Sequence, residues 1–583
     1  MVEALRADTR EILAGHWRAF GHLQLQVNDP PRWFMDYFAR REHATARPGF
    51  HLNHRQLPPG SDIKVIWELS RWQTLVRLAQ AAWLLDDTVA AGKCLDWLAH
   101  WLRFNPLFIG WNWTSALEAG IRLINFAWID SLLTAATGNA QALDTLRRKI
   151  VPPHLWFVSR HRSFGSSANN HLLGELAGLI VASVRWPALA HWGSPLSDLK
   201  RQLETEILNQ FARDGGNREQ ALNYQLFAWE LAWHARSALA AAGQPIDIAA
   251  EERLRRAADF FVTVQVPTDP WDYGDSDSAT VTPLFAQETQ AASEWYSWFA
   301  EAHSSPALHW WLGNPPEPIE PAACVRAADD WLVFPDSGQA VCWSGDWLAR
   351  WDLSTLGYLS TAAHGHLDAL HLSLWLGGVA LVIDPGTGAY YGDARLRAWL
   401  ADWEAHNGPH PPKMPFPKRL GPFLWGQHHE APHWTVLDPQ TLAAEMALPH
   451  GVASRHVRRV SDSEGDGWQI EDLFTPASAE TARGFRVCWQ FAPGTRVDAS
   501  FESPRFFHAE RQGRRFTIGL DSAWTELRHI PETSTSVAFP VVGDLEGLCS
   551  PAFRRIVSGP RIELTALGAN PTRYRTTFLV SHS

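Results

Sequence analysis

Little in this chain is built for cross-linking or for crossing a bilayer. Its 583 residues include five cysteines, Cys94, Cys324, Cys342, Cys488 and Cys549. They are odd in number, far apart and without a C-x-x-C pair, which argues against a disulfide scaffold or a thiolate zinc site. No apolar run reaches the roughly 20 residues of a membrane helix. The opening MVEALRADTREILAGHWRAF mixes charge into its apolar residues, where a signal peptide needs a continuous apolar core. As written, the chain is expected in the cytoplasm; a removed leader would make it periplasmic or secreted. Positive charge is also in deficit: 51 Lys plus Arg against 62 Asp plus Glu leave a net charge of -11. That balance speaks against a general binder of nucleic acid or acidic membranes, and an anionic ligand would need a local basic cleft. Tyrosine is sparse, 8 residues against 32 tryptophans. Tryptophan faces stack on sugar rings, but more often fill the space between packed helices.

A chain of this length is expected to form two or more domains, and its hydrophobic period changes once. From Arg6 to about Leu312 the spacing is helical, as in DIKVIWELSRWQTLVRLAQAAWLL, where Ile66, Leu69, Leu75 and Leu78 fall at three- and four-residue steps or their multiples. Ser115 and Glu118 have the spacing of a capping box. The stretch GNPPEPIEPAACV, Gly313 to Val325, is proline-rich and reads as a linker or crossing loop. Beyond it, short runs such as RRFTIGL, GFRVCWQFAPG and RIELTALG alternate with turn residues, as in an antiparallel sandwich. The fold class expected is multidomain α+β, with a helical array over residues 1–315 and antiparallel β structure over 316–583.

Two polar constellations stand out. In TAAHGHLDALHLSLWLGGVALVIDPGTGAYY, an extended Ala363–Leu367 segment would put His364 and His366 on one face. The following strand would deliver Asp384 at its end, and WEAHNG supplies His406. Two imidazoles and a carboxylate are a plausible zinc set with a fourth position open to water, although His-x-His also occurs on ordinary strands. In the helical half, SFGSSANNHLLGELAGL places Asn169, Asn170 and His171 where a loop enters a helix, a position where Asn serves as N-cap and where backbone N–H groups favour an anion. Glu175, one turn on, either orients His171 or lies on a polar helix surface. Tyr224, in REQALNYQLF, is a candidate functional tyrosine or a core residue. Asp275 and Asp277 in YGDSDSA read as turn residues ahead of cation ligands. Arg160, His161 and Arg162 before the Asn-Asn-His segment, and Lys413, Lys418 and Arg419 after His406, offer positive charge or are solvated loop residues.

Taken together, SSANNHLLGELAGL, REQALNYQLF, AAHGHLDALHLSLWLGG, VIDPGTGAYYGD and AHNG resemble the heparinase II/III-like polysaccharide lyases, a group that includes heparan-sulfate and oligoalginate lyases. NWTSALEAGIRLINF and GPFLWG extend the resemblance from about Ile12 to Leu437. It implies an N-terminal incomplete α/α toroid followed by a C-terminal antiparallel β-sandwich, with the sugar in the cleft between them. It also implies that His364 faces the substrate while His366, Asp384 and His406 hold one mainly structural zinc.

The implied reaction is β-elimination on a uronate-containing polysaccharide or oligosaccharide. Asn170 and His171 would neutralise the substrate carboxylate and Tyr224 would protonate the leaving oxygen. The base would be Tyr224 itself or His364, according to the stereochemistry. Arg218 is a candidate for lowering the Tyr224 pKa, and Arg162 and Glu175 for lining the substrate path. Tyr390 or Tyr391 stands where some alginate-directed members carry a second tyrosine. The last metal motif reads His-Asn-Gly where Thr commonly follows the histidine. The polymer expected is heparin- or heparan-sulfate-like. The alternatives are an oligoalginate or bacterial exopolysaccharide lyase and a non-catalytic carbohydrate-binding relative in polysaccharide biosynthesis. No oligomeric state is assigned.

Overall fold

The computed structural model describes residues 1–137, 140–300, 306–318, 325–327, 331–462, 465–478, 484–567 and 573–580. Residues 319–324 of the proline-rich joint, with Cys324, lie outside them. The chain forms two units, one of residues 1–215, 223–259 and 278–319, the other of residues 216–222, 260–277 and 320–583. A single cut after residue 315 therefore misses two segments that join the β half. Their ties are long-range: Leu222 N–H donates to Tyr273 O (3.1 Å), Ala380 N–H to the Asp269 carboxylate (3.0 Å) and Thr268 Oγ1 to Gly378 O (2.7 Å). Nothing in the local pattern of either segment announces such partners.

The N-terminal unit is helical, as expected. The apolar period beginning at Asp62 is divided into α1 (Ile63–Ser70) and α2 (Gln73–Leu84) by Trp72, which is buried with φ at 67°. Asp62 caps α1 by accepting from Lys64 N (3.0 Å). α3 (Ala116–Thr137) packs on α2 and on α4 (Asn170–Arg185). Glycines set the α3–α4 approach: a Cβ on Gly178 would lie 2.5 Å from Gly120 Cα, and one on Gly120 2.6 Å from Gly174 O. The capping box is half formed. Ser115 Oγ accepts from Glu118 N at 3.5 Å, but the Glu118 carboxylate pairs with buried Arg71 at 2.8 Å to both oxygens and does not turn back to the cap. A buried guanidinium needs that charge more than the helix end does. α5 (Leu222–Ala241) and α6 (Ile248–Val264) follow.

The C-terminal unit is antiparallel β. Strands β1 (Val325–Ala327), β2 (Trp331–Phe334), β3 (Gln339–Ser344), β4 (Trp347–Asp352), β5 (Leu372–Leu376) and β6 (Val379–Val382) form one sheet as a consecutive meander. A second, eight-stranded sheet is built around the hairpin of Gly451–Asp462 and Gly465–Pro476. Their shared core contains Trp331, Trp347, Trp351, Trp468, Trp489 and Phe578. Trp72, Trp101, Trp229 and Trp375 are equally buried, so core filling accounts for much of the tryptophan. Among the described residues no helix is long and apolar enough to cross a membrane.

Candidate active site and metal pocket

The two histidines of His-Gly-His reach their places by an irregular turn, not by the extended segment expected of them. His364 is left-handed, φ 68°, a conformation costing a non-glycine residue on the order of 1–3 kcal/mol. A Cβ on Gly365 would sit 1.3 Å from Leu356 O, so only glycine lets the turn close. The two rings then converge on Asp275. His364 Nδ1 lies 3.0 Å from Asp275 Oδ2, and His366 Nε2 lies 2.8 Å from Oδ1. Arg397, on α7 (Ala394–Leu400), bonds both oxygens of the same carboxylate. Asp275 is thus no turn residue. Burial pushes its carboxyl up, but Arg397 and the two imidazoles outweigh burial and hold it well below the usual carboxylate range.

Those contacts determine the tautomers. With Nε2–H of His366 donating to a carboxylate, its Nδ1 carries the lone pair. His406 Nδ1–H donates to Asp402 O (2.8 Å), leaving the lone pair on Nε2. One ring nitrogen from each of these histidines and one carboxylate oxygen from each of Asp368 and Asp384 lie within 4.8 Å of one another, and all four residues are buried. His366 Nδ1, His406 Nε2, Asp368 Oδ2 and Asp384 Oδ2 also lack hydrogen-bond partners. Buried polar atoms left unpaired cost on the order of 1–3 kcal/mol each, and their convergence marks a place for a cation. His406 Nε2 stands 3.3 Å from Asp384 Oδ2. That is an ion-pair distance without hydrogen-bond geometry, and it matches the roughly 3.3 Å between two donors on one tetrahedral ion with 2.0–2.1 Å bonds. Burial and the neighbouring Asp352 and Asp384 carboxylates push Asp368 well above the carboxylate range. In Asp384 burial is outweighed by His406 and His366, and its carboxyl lies below that range. This His/Asp group can hold a metal ion.

Asp368, which the sequence reading did not single out, joins His366, Asp384 and His406 in the buried group. It lies in the same HGHLDALH run, but no ligand spacing singles it out, because its carboxylate arrives by the turn at His364. Asp384 is delivered as expected, just after β6, with Oδ1 accepting from Gly386 N (2.7 Å). Asn407, where Thr was expected, ties the His406 loop to β5: Oδ1 accepts from Leu372 N (2.8 Å) and from Arg455 Nη1 (2.7 Å), and Nδ2 donates to Leu372 O (2.8 Å).

Around His364 the unit places Tyr390 (6.2 Å between centroids) and Phe423 (5.2 Å), with Tyr391 against Phe423 at 5.8 Å. Glu219, buried, approaches His364 Nε2 to 3.7 Å. Neither Glu219 nor Arg397 was singled out from the sequence, since each sits in a stretch far from the histidines. Arg218 is exposed, as are Lys413 and Lys418, whereas Arg419 stacks 4.3 Å over Trp425.

In the helical unit α4 begins at Asn170, and Asn169 is its cap, accepting from His171 N (3.2 Å). Asn170 is buried and His171 partly exposed. Glu175 is not on a polar surface: it is fully buried and accepts from Ser163 N (2.6 Å) and Oγ (2.7 Å), so it holds the loop before α4. Burial raises its carboxyl to about 7 against the pull of Ser163 and Arg162. Arg162 donates to Gln202 and lies over the exposed ring of Phe164. Arg160 stacks on Trp156, and His161 is held at Phe157 O. Tyr224 is buried in the first turn of α5, its ring edge-on to Phe227.

Residues 328–540 match the family model described as heparinase II/III-like, C-terminal. No curated protein matches the chain by sequence. Its fold is similar to that of a structure titled heparinase III, with TM-score 0.67 at 15% identity over 100% of this chain and 85% of the other. A heparan sulfate lyase mutant of Pedobacter heparinus gives TM-score 0.59 at 15% identity over 99% and 83%. A Streptomyces coelicolor chondroitin AC lyase in complex with chondroitin sulphate gives 0.53 at 11% over 100% and 83%. A helical N-terminal region followed by antiparallel sheets is common to them, and within this chain the match to the heparinase II/III-like, C-terminal family model covers residues 328–540.

Proposed function

We propose that this protein is a polysaccharide lyase that cleaves a uronate-containing chain by β-elimination. The observation that carries the reading is the place of His364: its Nδ1 lies 3.0 Å from the buried Asp275 carboxylate, its Nε2 lies 3.7 Å from the buried Glu219 carboxylate, and it stands two residues from a histidine of the buried His/Asp group. A base takes the proton from the carbon beside the uronate carboxylate, the bond from the neighbouring carbon to the glycosidic oxygen breaks, and a carbon–carbon double bond forms between them. The departing oxygen must gain a proton. Tyr224 is assigned as that acid, with the base being Tyr224 itself or His364. Asn170 and His171, at the start of α4, are assigned to the substrate carboxylate, where each well-placed donor to the developing charge is worth about 3–4 kcal/mol.

Two imidazole nitrogens and two carboxylate oxygens suit zinc. Zinc bound there would join the His366–Asp368 turn, the end of β6 and the His406 loop, an architectural role in keeping with four protein donors and no step that consumes water.

The polymer proposed is heparin- or heparan-sulfate-like, in keeping with the lyases whose fold the chain shares. Tyr390, beside His364, favours a second reading in which the substrate is an oligoalginate. Near-ultraviolet absorbance during incubation with heparan sulfate, heparin, hyaluronan, alginate and polyglucuronate, with Tyr224→Phe beside the parent, tests both. A rise on one polymer that is lost in the variant supports elimination and identifies the substrate. Binding to a polymer without any rise would favour a carbohydrate-binding protein.

A further inference from the structure

We propose that Asp275 is a positioning residue that serves two rings at once, orienting His364 for proton transfer through one oxygen and His366 for the metal through the other. The inference rests on the lyase reading for His364; for His366 it rests only on the pocket.

Four donors converge on this carboxylate. Oδ1 takes His366 Nε2–H at 2.8 Å and a hydrogen of Arg397 Nη1; Oδ2 takes His364 Nδ1–H at 3.0 Å and Arg397 Nη2 at 2.8 Å. Arg397 is itself fixed, donating from Nε (3.0 Å) and Nη2 (2.8 Å) to Pro422 O. The carboxylate therefore cannot swing toward one histidine and away from the other. An imidazole that gives one N–H to a carboxylate keeps its lone pair on the opposite nitrogen, aimed along a set direction. In His366 that nitrogen is Nδ1, an unpartnered atom of the metal pocket; in His364 it is Nε2.

The backbone needs this tie. His364 is held at φ 68° and Gly365 is pressed against Leu356 O. A strained turn persists only when its surroundings over-determine it, and both histidine side chains of this turn end on Asp275. One carboxylate consequently makes metal occupancy and base orientation depend on each other.

The full chain loaded with zinc tests this against Asp275→Asn, Asp275→Glu, His364→Ala and the double variant His364→Ala/Asp275→Asn. Initial rates on a polymer that the parent cleaves give kcat and KM; competition with a chromophoric chelator gives zinc affinity. An Asn carboxamide presents a donor to one of the two rings in place of an acceptor. Asp275→Asn is expected to lower kcat at least 30-fold with KM within threefold, and to weaken zinc about 10- to 100-fold. Asp275→Glu should recover part of both losses. With His364 absent, Asp275→Asn should cost less than a further twofold in kcat, because the two residues act as one. Parental kcat, parental zinc affinity, or an undiminished kcat loss without His364 would each overturn the proposal. Should Asp275→Asn fail to fold, Asp275→Glu carries the test, and parental values in both measurements overturn it. If the parent cleaves no polymer, the lyase reading falls separately, and the tie is judged on zinc affinity, an unchanged value sinking it.

Discussion

The start of α4 and the pocket around His366 both hold a buried carboxylate near an imidazole, partly exposed in His171 and buried in His366, but they close differently. At α4 two acceptors have taken local donors: Asn169 caps the helix and Glu175 accepts twice from Ser163. In the pocket, second-layer bonds from Asp275 and Asp402 fix the rings, and four convergent atoms remain unpaired. Satisfied groups hold a loop in place. Unsatisfied groups that converge in this way can hold a metal ion. The difference also separates the neighbouring histidines, since His366 turns its spare nitrogen into the pocket and His364 is tied to Asp275 from outside it.

The strongest test of that separation is His364→Ala beside His366→Ala. General acid–base groups typically contribute 10²–10⁴-fold. His364→Ala is expected to lose turnover on that scale while retaining stoichiometric zinc, and His366→Ala to lose the zinc as well. Elemental analysis of the two purified proteins, with rates measured on the same samples, gives the answer. A His364→Ala protein without metal would mean that the two histidines cannot be assigned different tasks.

Chelation should produce the next largest effect. At zinc 100 to 1,000 times above its dissociation constant, a site of this kind stabilises the folded state by about 2.7–4.1 kcal/mol. Calorimetry should therefore show a lower transition for the C-terminal unit after chelation, reversed when zinc is restored. An unchanged transition would break the view that four unpaired atoms are awaiting an ion.

The sequence made the larger architecture legible because period is a local signal. Residues three and four apart mark helices and alternating residues mark strands, so the α-then-β order could be read directly. His366, Asp384 and His406 were singled out by residue type and resemblance, and the structure gathers them into one buried group. What escaped was set by backbone closure over long distances. Asp275 looks like a turn residue in YGDSDSA until the 260–277 segment joins the β unit. Asp368 joins the other donors from an irregular segment in which His364 is left-handed, so no regular strand spacing marks it. Glu175 looked equally suited to a polar surface or to His171, and its true partner, Ser163, lies 12 residues earlier across a loop.

The smallest effect lies at α4 and concerns pH. Burial raises the Glu175 carboxyl from its ordinary value of 4.5 to about 7. The folded protein therefore holds this proton more tightly than the unfolded chain does. Its contribution to stability is fully present below about pH 4.5 and is lost as pH rises through 7, amounting to roughly 3 kcal/mol or less across that window. Glu175→Gln keeps an oxygen for Ser163 and removes the titration. The parent's melting temperature should accordingly fall more between pH 5 and pH 8 than that of Glu175→Gln, by a few degrees at most in a chain of this size. If the two fall in parallel, Glu175 titrates as an ordinary surface carboxylate, and the contrast between a closed α4 and an open metal pocket loses its first half. If only the parent falls, the carboxyl at α4 is a buried structural group whose burial outweighs the Ser163 bonds that favour its charged form.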